Sequence, residues 1–302
     1  MVTSEPGGLD LESLRELVNV RLAQLVPEGR PQGPSSAARY SLLAPGKRLR
    51  AMMVLIAARS LGGRIEDALD TACAVEMVHT ASLVFDDLPA MDDADLRRGI
   101  PTAHMAYGQD IAILAGIGLM NGAYEVVSQA QAPSCNRRMD ILRVLTRAIG
   151  WQGLVHGQAL DLSSGAGDAA IDAIHEGKTG ALFVAAAEAG GLCAEHCSDA
   201  QRRDMRAYGR ALGFAYQAYD DVLDQSVGDE TAGKTTGQDE GKSTAVLGRE
   251  TSIAAGLQRA HGHLETAMEA AGKGSPLAML AEYIGVYFSK TLEPVASDAI
   301  HN

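Results

Sequence analysis

Apolar residues recur along most of this chain at intervals of three and four. Leu9, Leu11, Leu14, Leu17, Val18, Leu22 and Leu25 trace one stripe of a 3.6-residue repeat, so residues 9–25 are predicted to form an amphipathic helix. Residues 26–34, "VPEGRPQGP", break the repeat with proline and glycine and read as a connector. Further helices are predicted at 35–43, 48–61, 66–88, 109–131, 135–161, 179–192, 199–225, 249–271 and 275–291. Alternation of β-branched residues scarcely occurs, and Ala, Leu, Glu, Arg and Met dominate, which favours helix throughout. The breaks between helices are short, as in a packed bundle, so the expected fold class is all-α with mostly antiparallel helices.

Two segments depart from the amphipathic pattern. Residues 111–120, "IAILAGIGLM", are apolar on every side, about half a membrane span long, and bounded by Asp110 and Asn121. They are predicted to form a buried core helix. Residues 226–243, "SVGDETAGKTTGQDEGKS", hold little apolar content and four glycines, and are predicted to form a mobile loop over a site. No fixed repeat and no linker divides the chain. One domain over residues 1–302 is expected, with residues 1–8 flexible.

Composition narrows the function. The formal charge is −12, from 38 acidic and 26 basic residues, which disfavours general nucleic-acid or anionic-membrane binding. An anionic ligand must then be held locally, by clustered cations or by a bridging metal. The N-terminus shows neither a basic nor an apolar leader, and four scattered cysteines suit a reducing compartment, so a soluble cytoplasmic protein is expected. Cys193, His196 and Cys197 fall near one helix face, but three ligands without a CxxC pair favour packed or exposed thiols over a metal site.

Two acidic patches carry the chemistry. In "YQAYDDVLDQ", Asp220, Asp221 and Asp224 share one helix face, at a cost in like-charge repulsion that a cation would relieve. In "VFDDLPAMDDADLRRG", Asp86 and Asp92 are six apart, which no regular helix brings to one face. Pro89 resolves this, because the helix must end or bulge around Leu88–Met91, and Asp92 then swings back toward Asp86. Carboxylate pairs suit Mg²⁺, which takes one or two of them and completes its shell with phosphate oxygens. Cations for a phosphate recur in "PGKRLR" (Lys47, Arg48, Arg50), in Arg97 and Arg98, in "GKTGA" (Lys178, Thr179), and in Lys234 and Lys242 of the loop. Singly each is an ordinary surface charge. Grouped around two acidic patches, they point to diphosphate binding.

With "GKRLR", "DDLPAMDDADLRRG", "GQALDL", "KTGAL", "FAYQAYDD", "DDVLD" and "GKSTA" in this order, the chain resembles the trans-polyprenyl diphosphate synthases. The runs "VEMVHTASLVFDDLPAMDD" and "WQGLVHGQALDLSSG" are similar to the bacterial geranylgeranyl diphosphate synthases of carotenoid pathways. The resemblance implies long helices around a deep cavity, usually in a homodimer. It also implies condensation of isopentenyl diphosphate with dimethylallyl, geranyl or farnesyl diphosphate, using three Mg²⁺ ions, with Mn²⁺ as an alternative. Asp86, Asp87, Asp92, Asp220 and Asp224 would hold metal, with Asp221 and Asp224 partly acting through water. Arg97, Lys178, Lys234 and Lys242 would grip the allylic diphosphate, and Lys47, Arg50, His79 and Arg98 isopentenyl diphosphate. Thr179 and Gln217 would sit near the allylic cation, with Gln158 and Asp161 behind them. A lone histidine on an apolar helix is usually a satisfied core residue; for His79, two turns before Asp86, the resemblance favours the ligand role. Asp93 and Asp95 receive no role.

In this family the growing product runs beside the helix of the first motif, with the residues one turn before Asp86 as its floor. Ala81 and Ser82 are small, which implies a C20 product, with Met77 or Val78 as the next floor and a C15 product as the alternative. Phe85 stands where relatives commonly have histidine. A terpene cyclase would carry an Asn/Ser/Glu second metal motif, and a non-catalytic subunit would lose one acidic motif. Both acidic motifs are intact here.

Overall fold

The computed structural model describes residues 10–163, 173–226, 253–272 and 274–298, without the side chains of 224–226 and 293–298. The terminal residues 1–8 and the loop predicted beyond Ser226 lie outside the described residues. Twelve helices are described: α1 (Leu11–Leu25), α2 (Pro34–Leu42), α3 (Leu49–Ser60), α4 (Ile65–Asp86), α5 (Ala103–Tyr107), α6 (Gln109–Gln129), α7 (Cys135–Ile149), α8 (Leu154–Asp161), α9 (Ala181–Cys193), α10 (Asp199–Ser226), α11 (Ile253–Ala271) and α12 (Pro276–Asp298). A two-stranded hairpin, β1 (Leu96–Arg97) with β2 (Ile100–Pro101), is the sole sheet among them. The all-α class holds, and the terminal residues of most predicted helices are met within a few positions.

The centre of the bundle is α3, α4 and α9, whose side chains are buried almost all the way round. A helix apolar on every side must be enclosed by others, and α10 closes over α9, α11 over α10, and α6 over α4. Local signals set the helix starts. Asp10 accepts hydrogen bonds from the amides of Glu12 and Ser13, both at 3.2 Å, and Pro34 opens α2.

Three expectations are corrected. The helix predicted over 135–161 is two helices, because Gly150 and Gly153 end α7 in a turn that leaves Trp151 86% exposed. The 111–120 segment is not wholly buried. Ala112, Ala115, Gly116 and Leu119 face the bundle, while Ile113, Leu114 and Ile117 are 40%, 50% and 54% exposed. By length and composition α4 and α6 are each apolar enough to cross a membrane, but two-thirds of the apolar window in α4 is buried inside this bundle. The hairpin after α4 was not predicted; its two-residue strands are too short to show alternation.

One ion pair fixes how α3 begins. Its N-cap, Arg48, is held in the left-handed region (φ 53°) and offers no side-chain cap. Glu76 of α4 supplies one instead, accepting from the amide of Ala51 at 3.2 Å. The same carboxylate lies 3.6 Å from Arg48 Nη1, both side chains 2% exposed. Arg48 also donates to Asn19 Oδ1 and to the carbonyls of Leu42 and Ala44 at 2.7–3.0 Å, tying α1 and the α2–α3 turn to the same point. Removing one partner of such a buried pair leaves the other charge uncompensated. We expect Glu76→Ala to cost about 3–5 kcal/mol of stability, read from the midpoint of chemical denaturation. A loss below about 1 kcal/mol, the value for an exposed pair, would contradict this arrangement.

Candidate active site

The first acidic motif turns as Pro89 requires. α4 ends at Asp86, two residues before the predicted break, and the chain folds back so that the amide of Asp92 donates to the carbonyl of Asp86 at 2.8 Å. The amides of Asp93 and Ala94 close the turn on Leu88 and Asp87, with Asp93 left-handed at φ 49°. Asp86 and Asp92 are thereby neighbours. Burial pushes the Asp86 carboxyl up to about 6; Lys178 opposes the shift and Asp92 adds to it. Asp87 faces elsewhere. It is buried, and its Oδ1 accepts from both Nε (3.0 Å) and Nη2 (2.5 Å) of Arg97. Burial raises the Asp87 carboxyl above its usual range despite that partner. Its surroundings are those of an anchor for Arg97 more than of a free metal ligand.

The hairpin separates two adjacent arginines. Leu96 pairs with Pro101 and Arg97 with Ile100, so Arg98 (φ 56°) and Gly99 (φ 77°) are the turn, both left-handed as a two-residue hairpin demands. Arg97 reaches Asp87, and Asp86, Asp92 and Asp87 offset the burial of its guanidinium. Arg98 lies on the other side, against the loop before α3; a Cβ on Gly46 would stand 2.9 Å from its Nη1.

Arg98 is near enough to His79 to act on its imidazole, as Arg50 does, so the structure brings these three residues together. Arg50 Nη1 is 3.3 Å from His79 Nε2. Burial drives the imidazole well below its usual range, and Arg50, Arg98 and Arg97 drive it further, so His79 is neutral and Nε2 accepts from Arg50. Burial also lowers Arg50 and Arg98, and Glu76 counters both. Glu76 was missed as a site residue. Its signal was a lone acid in an apolar helix, one turn before His79. Lys47 completes the group over the rings of Tyr216, Tyr287 and Phe288.

Lys178 and Thr179 do not start a helix. They occupy a π-helical turn, Glu176–Gly180, that runs into α9. α8 crosses this turn backbone to backbone: a Cβ on Gly157 would lie 2.3 Å from the Lys178 amide. One turn on, Asp161 Oδ2 accepts from Lys178 Nζ at 2.6 Å. Burial opposes the Lys178 charge, but Asp86, Asp161 and Asp92 hold its pKa above the ordinary value. Thr179 Oγ1 donates to Gln217 Oε1 at 2.5 Å, Gln217 Nε2 donates to Asp221 Oδ1 at 2.8 Å, and His175 Nε2 lies 3.8 Å from Asp221 Oδ2. His175 carried no recognisable signal in the sequence. Asp220 is close enough to Arg50 to oppose the loss of its charge. Among the described residues Gln158 Nε2 lies 4.0 Å from Met91 Sδ. The Asp224 side chain, Lys234 and Lys242 lie outside the described residues.

Met77, Val78 and Ala81 are buried, and Ser82 Oγ donates to the carbonyl of His79 at 2.9 Å. Phe85 points at α6, where a Cβ on Gly116 would meet its ring at 2.6 Å, and Met77 fills the same role against Gly122. Among the described residues no three His, Cys, Asp or Glu side chains converge to hold a metal ion, and Cys193 and Cys197 are buried as free thiols. The Asp86–Asp92 pair beside Lys178 does suit Mg²⁺, whose shell a phosphate and water would complete.

The profile of the polyprenyl synthetase family matches residues 33–273. A geranylgeranyl diphosphate synthase from Pantoea ananas is 42% identical over 269 residues, 85% of this chain and 88% of that protein. The large subunit 2 of a heterodimeric geranylgeranyl pyrophosphate synthase from Arabidopsis thaliana is 41% identical over 80% of this chain, which spans only 66% of that relative's length. Among solved structures, a geranyltransferase from Helicobacter pylori complexed with magnesium and isoprenyl diphosphate superposes over 100% of both chains with a TM-score of 0.82 at 26% identity. With its two acidic motifs and both cation groups in the family's order, the chain belongs to the polyprenyl synthetase family.

Proposed function

We propose that the chain is a Mg²⁺-dependent trans-prenyltransferase that condenses isopentenyl diphosphate head-to-tail with an allylic diphosphate, giving geranylgeranyl diphosphate. The observation that carries this reading is the separation of two cation groups by the hairpin turn. Arg97 and Lys178 stand with Asp86, Asp87 and Asp92, and Arg98, Arg50, His79 and Lys47 stand around Glu76 and the aromatic rings. Two anionic headgroups call for two such groups. The magnesium in the Helicobacter pylori relative and the Pantoea ananas activity support the same assignment. Three ions per site and one domain over 1–302 are parts of the proposal, as is a cytoplasmic setting, which the four free cysteines favour. A homodimer is proposed on the exposed apolar face of α6, at Ile113, Leu114 and Ile117.

Asp86, Asp92 and Asp220 would hold the metal, with Asp224 completing the second motif. Bound Mg²⁺ supplies charge neutralisation that makes the allylic diphosphate a better leaving group. Arg97 and Lys178, with Lys234 and Lys242 from the loop, would take the charge that grows on that diphosphate as its C–O bond breaks. Lys47, Arg50, Arg98 and neutral His79 would hold isopentenyl diphosphate so that its double bond faces the allylic carbon. The π electrons then form the new C–C bond, and the resulting cation loses a proton to the released diphosphate. Thr179, held by the Gln217–Asp221 chain behind it, would offer oxygen dipoles to the allylic cation. Asp161 keeps Lys178 aimed at Asp86 and Asp92.

Small side chains at Ala81 and Ser82 support a C20 tail. So does the seating of Phe85 in the Gly116 notch, which draws its ring into the α4–α6 interface. Product analysis by mass spectrometry with each allylic starter tests the activity directly. The native chain should yield C20, and Asp86→Ala combined with Asp220→Ala should lower turnover by roughly 10³-fold or more. Turnover near the native value would reject the proposal. Ala81→Phe should shorten the product toward C15. An unchanged product spectrum would rule out Ala81 as the floor.

A further inference from the structure

Lys47 is held by aromatic rings, as Arg50 is in part: the Arg50 guanidinium lies 4.4 Å from the Phe183 ring centroid and its Nη1 is 3.3 Å from His79 Nε2. Arg48, Arg97 and Lys178 each have a carboxylate partner. Among the described residues Lys47 has none. Its ammonium lies 3.7 Å from the ring centroid of Tyr287, 4.9 Å from that of Phe288 and 5.6 Å from that of Tyr216, all within the range of cation–π attraction. The rings brace one another. Phe288 is fully buried and stacks on Tyr219 at 4.7 Å with an interplanar angle of 7°. It meets Tyr216 and Tyr287 edge-on, both at 5.4 Å. Tyr216 also lies 5.9 Å from the guanidinium of Arg50, so one ring serves both cations.

We propose that Tyr287 and Phe288 of α12, with Tyr216 of α10, form an aromatic cage that positions the Lys47 ammonium for a diphosphate and makes α12 part of that subsite. The inference rests on the reading of Lys47 as an isopentenyl diphosphate ligand. It extends the site to residues beyond the 33–273 stretch that matches the family. Aromatic faces attract a cation without cancelling its charge. A carboxylate in the same place would have to be displaced by an incoming diphosphate, whereas the rings leave the full positive charge available. Tyr219 directly precedes Asp220, so the stack that fixes the cage stands on the helix of the second acidic motif. Tyr287 and Phe288 are positioning residues, acting through Lys47.

The test separates aromatic character from packing. Tyr287→Phe keeps a ring, and Tyr287→Leu keeps apolar bulk without the quadrupole. Tyr287→Leu should raise KM for isopentenyl diphosphate about tenfold, leave KM for geranyl diphosphate within about twofold, and change kcat little. Tyr287→Phe should restore the native KM. The cage is overturned if Leu and Phe behave alike, or if both substrates' KM values rise together. Calorimetric titration with inorganic pyrophosphate, without metal, gives an activity-independent arm. Weaker binding by Tyr287→Leu than by Tyr287→Phe supports the cage even in a chain that makes no prenyl product, and equal binding rejects it. Absence of product from the native chain would reject the proposed function instead.

Discussion

Asp86 carries its carboxylate into surroundings that resist the charge, and burial pushes it up to about 6. The groups nearest it answer to that one constraint. Asp92 is brought beside it by a backbone hydrogen bond and adds like charge. Lys178 and Arg97 supply opposite charge, and each needs an anchor to stay in place, which Asp161 and Asp87 provide. Buried charge of this kind is costly unless paired. On the proposed function, a polyphosphate arriving with Mg²⁺ would relieve both sides together, the metal taking the carboxylates and the cations the phosphate oxygens.

The second cation group solves the same problem differently. Arg50 and Arg98 lie close to neutral His79, and burial lowers both guanidiniums from their ordinary range while leaving them charged. Glu76 is their shared counter-charge, and it also caps α3 and pairs with Arg48. One acid in the core of α4 therefore sets the direction of α3 and the tolerance of the bundle for a cation cluster. The hairpin turn at Arg98 and Gly99 then divides the positive charge between two groups of side chains, using left-handed backbone at a residue that rarely adopts it.

Much of this was written locally in the chain. The helices follow the apolar repeat, and the fold-back of Asp92 onto Asp86 follows from a proline that cannot continue a helix. The grouping of Arg50, His79 and Arg98 came from the family resemblance, and the Arg50–His79 contact and the effect of both arginines on the imidazole bring the three together. What escaped the pattern depends on partners far away in sequence. The strands of the hairpin are two residues long, shorter than any alternation can reveal. The α7–α8 break required weighing Gly150 and Gly153 against an otherwise continuous repeat. The exposed side of α6 was hidden because an all-apolar stretch carries no mark of which face meets the bundle. Glu76 against Ala51, His175 against Asp221, and Lys47 against Tyr287 join residues 25, 46 and 240 positions apart, and no local periodicity encodes such pairs.

The proposed division of labour puts Arg97 on the allylic diphosphate and Arg98 on isopentenyl diphosphate. Steady-state kinetics of Arg97→Ala and Arg98→Ala, with each substrate varied in turn, measures it directly. The Arg97 variant should raise KM for the allylic diphosphate and the Arg98 variant KM for isopentenyl diphosphate, each leaving the other substrate's KM near native. If both variants raise the same KM, or both raise the two together, the hairpin does not partition the headgroups.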